Sequence, residues 1–250
     1  MSRVVWGLAF ALIALPARAD DKEDVKNAAK KLGESSYSWT ATPKSEGGAG
    51  GGGGGGGGRR MQTGPTDGKS ADGWITLTRK QGETTMEAVV KGDKAAVKAT
   101  DGWKLTDEFP QGGGGGGGGQ RDPAAGFARS LRAFKAPAAD AEALVDKVGE
   151  LKKGEDGLYA GDLTEDGAKS MLGGGMGGGG GRGGTVSEPK GSAKFWVKDG
   201  VIVKYEVNVQ GKMTFGDREV AINRTTTVEL KDIGATKVEV PEDAKKKFVD

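Results

Sequence analysis

Residues 193–209 read AKFWVKDGVIVKYEVNV, two β-rich runs on either side of the dipeptide Asp199-Gly200. Asp-Gly between alternating apolar residues signals a two-residue β-hairpin, because both residues tolerate the positive φ angles of a type I′ turn. The dipeptide therefore predicts an antiparallel hairpin whose register counts outward from the turn. The predicted pairs are Lys198–Val201, Val197–Ile202, Trp196–Val203 and Lys194–Tyr205.

The same hairpin has two predicted faces, because successive side chains of a strand point to opposite sides. One face contains Trp196, Val201, Val203, Tyr205, Val207 and Val209. The other contains Phe195, Val197, Ile202, Lys204, Glu206 and Asn208.

Further strands are predicted on both sides of this hairpin. Upstream, short β-rich runs separated by x-Gly dipeptides predict an antiparallel meander. Its strands are Trp74–Arg79, Thr84–Val90, Asp93–Thr100 and Trp103–Thr106. The remaining predicted strands are Tyr37–Thr42, Leu158–Leu163, Val220–Leu230 and Thr236–Val240.

Helical signals occur before the first strand and in the middle of the chain. Apolar residues recur at helical spacing within Asp20–Leu32, and Asp122-Pro123 provides an N-cap followed by proline at the first helical position. Further helices are predicted after Pro137, Thr164 and Pro241. The order of helix, strands, helices and strands predicts an α+β fold: a curved antiparallel sheet, or incomplete β-barrel, with helices covering one face. No βαβ alternation supports a parallel nucleotide-binding sheet.

Three glycine tracts, at residues 47–58, 112–119 and 173–184, contain most of the 48 glycines. Polyglycine has maximal backbone entropy and no side chains to bury, so we expect these tracts to be disordered. The segments between them are near or below the roughly 60 residues at which independent folding is marginal. Residues 20–250 are therefore predicted to form one domain with long glycine loops. An RNA-binding role for the tracts is disfavoured, because no aromatic residue is interleaved.

Residues 1–19 are typical of a signal peptide. A short positive start at Arg3 precedes an apolar run, and Ala17-Arg18-Ala19 offers a cleavage site before Asp20. The alternative is an uncleaved membrane anchor. Cleavage would remove Arg3 and Arg18, which lowers the formal charge from +2 to zero. We therefore expect an exported protein, periplasmic or secreted, with no integral membrane segment after cleavage and no nucleic-acid partner.

The composition excludes several classes of chemistry. The chain contains no Cys and no His, which removes disulfides, thiolate metal sites, catalytic thiols and imidazole-based triads. Carboxylate pairs such as Glu165/Asp166 and Asp107/Glu108 are the remaining candidates for hydrolytic chemistry. Adjacent acids at such positions are far more often helix caps or solvated charges. We therefore predict a non-enzymatic protein with no cofactor and no metal site.

The strand order and spacing resemble the LolA- and LppX-like superfamily of periplasmic lipoprotein carriers. The resemblance is carried by residues 91–98 (KGDKAAVK) leading to Asp101-Gly102-Trp103, and by residues 194–200, Lys204-Tyr205 and 232–241. It implies a curved, incompletely closed barrel covered by helices, with lipid acyl chains held between them. The chain also resembles glycine-rich secreted bacterial proteins, which implies no function. Unlike LppX-like lipoproteins, it has no lipobox Cys, so no acyl anchor forms.

The predicted ligand site is a cleft between the sheet and the helices with an aromatic and aliphatic wall. Such walls suit acyl chains, because each buried methylene contributes about 0.8 kcal/mol. The predicted lining consists of Trp39, Trp74, Trp103, Phe127, Leu131, Phe134, Trp196, Val203 and Tyr205. The alternative is that these are ordinary core residues of an envelope protein that binds another protein or a polysaccharide, with a filled core and no small ligand.

One charged residue conflicts with this pattern. Arg224 falls in register with Val220, Ile222, Val228 and Leu230. Either a bulge shifts the strand at this point, or Arg224 points into the apolar space, where it meets a carboxylate of the fold or a ligand headgroup.

Overall fold

The computed structural model describes residues 20–46, 64–110, 122–174, 184–216 and 218–249. Its centre is one curved antiparallel sheet of eleven strands that does not close, which confirms the predicted α+β class. The strands are β1 (Tyr37–Ser45), β2 (Thr66–Ala71), β3 (Trp74–Gln81), β4 (Thr84–Lys91), β5 (Lys94–Ala99), β6 (Gly102–Leu105), β7 (Lys152–Lys153), β8 (Leu158–Asp162), β9 (Thr185–Lys198), β10 (Val201–Phe215) and β11 (Arg218–Lys231).

The helices are α1 (Asp20–Gly33), α2 (Pro123–Leu131), α3 (Pro137–Lys147), α4 (Glu165–Gly174) and α5 (Glu242–Lys245), with short 3-10 helices at Glu155–Gly157 and Lys246–Phe248. As predicted, α2 begins with Asp122 as its N-cap, whose side chain accepts a hydrogen bond from the backbone N–H of Ala124. Proline occupies the first turn of both α2 and α3. The predicted leader, residues 1–19, and nearly all of the three glycine tracts lie outside the described residues.

The strand order is β6-β5-β4-β3-β2-β1-β11-β10-β9-β8-β7, so two meanders meet where β1 pairs with β11. Trp39 of β1 lies opposite Leu230 of β11, although the two residues are far apart in sequence. This long-range pairing joins the first and last long strands into one continuous sheet.

Four helices cover one face of the sheet, which we call the helix-covered face. Helices α1 and α4 pack on β9 and β10, α3 packs on α1 and α4, and α2 packs mainly on β4 and β5. One continuous cluster of buried side chains lies between the helices and the sheet. It includes Leu32, Tyr37, Trp39, Leu77, Phe127, Leu131, Leu144, Phe195, Ile202 and Tyr205.

The opposite face, which we call the open face, is mostly polar. Residues paired across antiparallel strands share a face, so Thr40 lies beside Asp67 of β2 and Glu229 of β11. The C-terminal segment, residues 232–249, crosses this face and ends where Phe248 packs edge-on against Trp74, with ring centroids 5.2 Å apart.

The predicted hairpin register is correct for the two residue pairs beside the turn and wrong for the pairs beyond them. Lys198 pairs with Val201 and Val197 with Ile202, as predicted. A register shift between Ile202 and Lys204 then leaves Val203 unpaired, so Trp196 pairs with Lys204 instead of Val203, and Tyr205 pairs with Phe195 instead of Lys194. One extra residue in a strand exchanges the two faces of everything beyond it. Phe195 therefore shares the buried face with Tyr205, and Trp196 does not.

Two further strand predictions differ from the structure. Thr236–Val240 is not a strand, although its sequence alternates as a strand would. It leaves the end of β11 through a turn, in which Thr236 N–H donates to Asp232 O, and then lies over the sheet instead of along an edge. Conversely, β2 was not predicted, because its sequence TDGKSA is polar and contains glycine. It is held by pairing with β1 and β3 on both sides.

Candidate functional site

The predicted site residues divide between the two faces of the sheet. Trp39, Phe127, Leu131 and Tyr205 lie in the buried cluster on the helix-covered face, and Phe134 packs against it. Trp39 is 4% exposed, and Phe127 and Tyr205 are each 2% exposed. These five side chains therefore form one apolar wall between sheet and helices.

The other predicted site residues do not join this wall. The other three tryptophans of the predicted site lie on the open face. Trp74 points to the same side as Thr76, two residues along β3. Trp103 is paired with Lys98, and Trp196 with Lys204, on neighbouring strands. Lysine ammonium groups cover two of these rings: Lys91 Nζ is 4.5 Å from the Trp74 ring centroid, and Lys204 Nζ is 4.8 Å from that of Trp196. Val203 is half-buried at the bulge. The prediction that Trp39, Trp74, Trp103 and Trp196 line one cleft is therefore wrong.

Trp39 owes its position to a glycine on the neighbouring strand. Gly68 of β2 lies directly opposite Trp39, and the indole ring covers the place that a Cβ at residue 68 would occupy. Tyr37 continues the aromatic wall, with its ring centroid 5.6 Å from that of Trp39. The absence of a side chain at residue 68 thus lets the indole lie flat on the sheet.

A small cavity lies at the edge of this wall, between α3, α4 and β10. It has a volume of about 190 Å³ and is lined by Ala133, Lys135, Asp140, Ala143, Leu144, Lys147, Met171 and Val207. Its lining combines apolar and charged residues: Leu144 and Val207 also belong to the buried cluster, whereas Ala133 and Lys135 are exposed. The cavity is therefore continuous with the core on one side and reaches solvent on the other.

Asp140 links this cavity to the buried wall. The Tyr205 hydroxyl donates a hydrogen bond to Asp140 Oδ2 over 2.9 Å. Desolvation raises the pKa of Asp140, although the hydrogen bond from Tyr205 acts in the opposite direction. Burial, and then the charge of Asp140, raise the pKa of Tyr205 well above its ordinary value, so its hydroxyl stays protonated and remains the donor. No pattern in the sequence indicated this pair, whose members are 65 residues apart.

Arg224 points toward the helices, and the pairing of β10 with β11 shows no bulge around it. Its Nη2 donates a hydrogen bond to the backbone oxygen of Met171 over 3.1 Å, near the C-terminal end of α4. Carbonyls at a helix C-terminus lack intrahelical donors and carry partial negative charge. Arg224 therefore caps α4, and no carboxylate of the fold is its partner among the described residues.

A second partly buried arginine holds α2 in place. The Arg79 guanidinium lies 4.7 Å from the Phe127 ring centroid, and its Nε donates to Thr66 Oγ1 over 2.9 Å. Partial burial lowers the pKa of both Arg79 and Arg224, but arginine remains charged in proteins. Both arginines thus tie a helix to the sheet.

A larger cleft, of about 900 Å³, lies on the open face between the sheet and the C-terminal segment. Its floor comes from β1 to β4, one end is marked by Trp103, and its wall comes from residues 231–241. Sequence reasoning did not identify this cleft, because the C-terminal segment was predicted to be a strand of the sheet.

The candidate carboxylate pairs lie outside both cavities. Glu165 and Asp166 are exposed in the first turn of α4, where negative charge favours the helix. Glu108 accepts a hydrogen bond from the backbone N–H of Leu105 and receives Lys247 Nζ at 3.4 Å. Glu165 and Asp166 therefore stabilise a helix start, and Glu108 closes a turn and forms a surface ion pair. Among the described ranges, no group of three or more His, Cys, Asp or Glu side chains is arranged to hold a metal ion.

Comparisons with known proteins place this chain only loosely. No family model matches it, and no curated protein matches it. Among solved structures it is similar to LprF from Mycobacterium bovis, with 12% identity and a TM-score of 0.45, over 91% of this chain and 99% of LprF. None of the helices in the described ranges has the length and hydropathy needed to span a membrane.

Proposed function

We propose that this protein is an exported, non-catalytic protein that binds a hydrophobic ligand, such as a lipid acyl chain, between the curved sheet and its helices. The observation that supports the proposal is the cavity between α3, α4 and β10, which shares Leu144 and Val207 with the buried cluster and includes Lys135, Asp140 and Lys147 in its lining. Sites for apolar small molecules usually combine an apolar interior with a few polar groups that orient the ligand.

The size of this cavity defines how a ligand would enter. At about 190 Å³ it is smaller than the roughly 300–1,000 Å³ of typical small-molecule sites. A long acyl chain therefore requires a helix to move away from the sheet. We propose α2 and α4 as the moving elements; their movement would break the contact of Arg79 with Phe127 and the hydrogen bond from Arg224 to Met171.

The proposed ligand contacts are the predicted site residues that lie on the helix-covered face of the sheet. Trp39, Phe127, Leu131, Phe134 and Tyr205 would contact the ligand once the helices separate from the sheet. The open-face tryptophans would not contact it, since the sheet separates them from the helices. Arg224 and Asp140 would remain at the edge of the site and contact a polar headgroup.

Export is part of the same proposal. We infer that residues 1–19 are removed and that residues 20–250 form the mature domain. Helix α1 begins at Asp20, directly after the proposed cleavage site. The intact mass of protein recovered from the periplasm of a Gram-negative host should therefore correspond to a chain that begins at Asp20.

Lipid extraction tests the binding proposal. Protein exported through its own leader and purified without detergent should release fatty-acid or phospholipid species, identified by mass spectrometry. Ala143→Phe should reduce the yield several-fold, because Ala143 lines the cavity and a phenyl ring would fill it. Ala139→Phe, an exposed position on the same helix, is the matched control and should leave the yield unchanged. Absence of lipid from the parent protein, together with no response to a fluorescent acyl probe, would refute the proposal.

A second candidate function is an envelope protein that binds another macromolecule and takes no guest into its core. The observation in its favour is that the protein's own side chains fill most of the space between sheet and helices, in one continuous buried cluster. A folded, exported protein that carries no lipid would support this second function.

A further inference from the structure

The open-face cleft is formed by two parts of the chain that are distant in sequence. Residues 232–249 cross the open face from the end of β11, contact β6 and reach Trp74 of β3. Gly234 N–H donates to Ser36 O over 2.7 Å at one end, and Phe248 packs on Trp74 at the other. Ala244 of this segment, and Val89 and Ala96 of the sheet beneath it, are almost fully buried outside the main core cluster, so this segment is packed firmly onto part of the open face. The cleft is the space that remains beside it.

The floor of this cleft crosses the strands instead of following them. Its residues come in turn from β1, β2, β3, β4 and, beyond β5, from Trp103 of β6. Adjacent strands are about 4.8 Å apart, so the five spacings from β1 to β6 extend over roughly 24 Å. A partner peptide that adds a strand needs an open sheet edge parallel to itself, and this floor offers none. The shape favours a long, narrow ligand that does not depend on backbone pairing.

Hydroxyl and carboxylate groups dominate the chemistry of the floor. Thr40 donates a hydrogen bond to Asp67 over 2.7 Å, and Ser38 donates to Asp232 over 2.9 Å. Thr76 and Thr78 extend the row of hydroxyls along β3. Such groups suit a ligand that both donates and accepts hydrogen bonds.

The charges of the lining nearly balance, with one acidic residue in excess, which argues against an anionic ligand. The acidic residues are Asp67, Glu87, Asp232 and Glu239, and the basic residues are Lys69, Lys231 and Lys237. Lys98, from outside the cleft, pairs with Glu87 at 3.1 Å and makes the signs equal. A neutral cleft has no field to attract a phosphate-rich or otherwise strongly charged partner.

We propose that the open-face cleft binds a neutral oligosaccharide chain, with the Trp103 indole stacking on a sugar ring and the hydroxyl and carboxylate groups of the floor bonding the sugar hydroxyls. Trp103 is half-buried and lines the cleft, and an indole ring is an apolar surface on which a sugar ring can stack. This site is independent of the lipid proposal, since the sheet separates the two cavities. It gives the second candidate function a location and a ligand class.

The test uses the full mature protein and two defined probes, the β-1,4-linked tetramers of glucose and of N-acetylglucosamine, in isothermal titration calorimetry. We expect at least one tetramer to bind with a dissociation constant of about 1 mM or tighter. Trp103→Ala should weaken that binding about tenfold through loss of the stacked ring. Trp196→Ala is the matched control, because Trp196 lies on the same face but outside the cleft.

A second pair of variants keeps the test valid if Trp103→Ala does not fold. Thr78→Trp places an indole in the floor and should abolish binding, whereas Ala221→Trp, an exposed position on the same face away from the cleft, should not. The proposal is wrong if neither tetramer binds at about 10 mM, or if control and cleft variants weaken binding equally. Lipid content measured on the same samples separates this result from the outcome of the lipid proposal.

Discussion

The two faces of the sheet are built from the same strands, yet they are covered in different ways. On the helix-covered face, four helices meet aromatic and aliphatic side chains, and the space between them is nearly filled. On the open face, one irregular segment crosses polar rows and leaves a cleft of about 900 Å³. Apolar surface requires continuous contact to exclude water, whereas polar surface tolerates a wet gap. The difference shows why the larger preformed cleft lies on the polar side.

The largest expected effect comes from two adjacent residues that the bulge at Val203 assigns to opposite faces. Phe195 is 0% exposed and stacks near Tyr205, with ring centroids 6.4 Å apart. Phe195→Ala should lower the free energy of unfolding by about 3–5 kcal/mol through loss of apolar contact and formation of a cavity. Trp196→Ala should cost about 1 kcal/mol or less, since its ring lies on the open face under Lys204.

Urea unfolding of both variants measures this difference directly. Equal losses for the two substitutions would mean that the bulge does not separate these residues, and the assignment of the two faces at β9 would be wrong. The original hairpin register, by contrast, predicts the larger loss for Trp196→Ala.

A glycine substitution should have an intermediate effect. Gly68→Ala places a methyl group where the Trp39 indole now lies, so the ring must tilt out of the core. We expect a loss of about 2–3 kcal/mol in unfolding free energy. Gly126→Ala in α2 is the matched control: nothing lies within 4 Å of the added methyl, and the helix should gain about 0.5–1 kcal/mol.

Near-ultraviolet circular dichroism, which reports on packed aromatic rings, adds a second measurement for Gly68→Ala. The signal should change with Gly68→Ala and stay constant with Gly126→Ala. If Gly68→Ala proved as stable as the parent protein, the contact between Gly68 and Trp39 would not constrain the wall.

The smallest expected effect is a pH dependence at the rim of the helix-side cavity. Desolvation raises the pKa of Asp140 in the folded protein, so the folded state takes up a proton before the unfolded state does. Stability relative to Asp140→Asn should therefore increase as pH falls through the raised pKa toward the unfolded value of about 4, and the gain should be lost as pH rises. The amide of Asp140→Asn still accepts the Tyr205 hydrogen bond, which isolates the effect of charge.

The measurement is the difference in unfolding free energy between parent and Asp140→Asn from pH 7 to pH 3. A difference that declines as pH falls would show that Asp140 is stabilised as a carboxylate, contrary to the direction of its pKa shift. We expect the effect to be small, because Asp140 remains exposed at the rim.

The hairpin illustrates how far local sequence reaches. Asp199-Gly200 predicts the turn and the first two pairs correctly, since both residues adopt the positive φ that the turn requires. The bulge at Val203 has no comparable local signal. Both registers bury apolar residues at the hairpin itself, and the structure places the ring of Phe195, not Trp196, beside Tyr205.

The C-terminal segment illustrates the opposite limit. Residues 236–240 have the alternation of a strand, but β1 already occupies the free edge of β11. A strand needs a partner edge, so the segment crosses the open face and forms the wall of the cleft. Arg224 is a similar case: its apolar register was visible, but its acceptor, the oxygen of Met171, belongs to a helix 53 residues away.

The sequence by itself determined the α+β class, the antiparallel meanders and the helix starts at Asp122 and Pro137, because these depend on periodicity, turn chemistry and caps within a few residues. Only the tertiary structure decided which aromatic rings share a face, that Trp39 lies over Gly68, and that the C-terminal segment borders a cleft. Those features depend on pairing and packing between residues far apart in the chain, which local propensity does not specify.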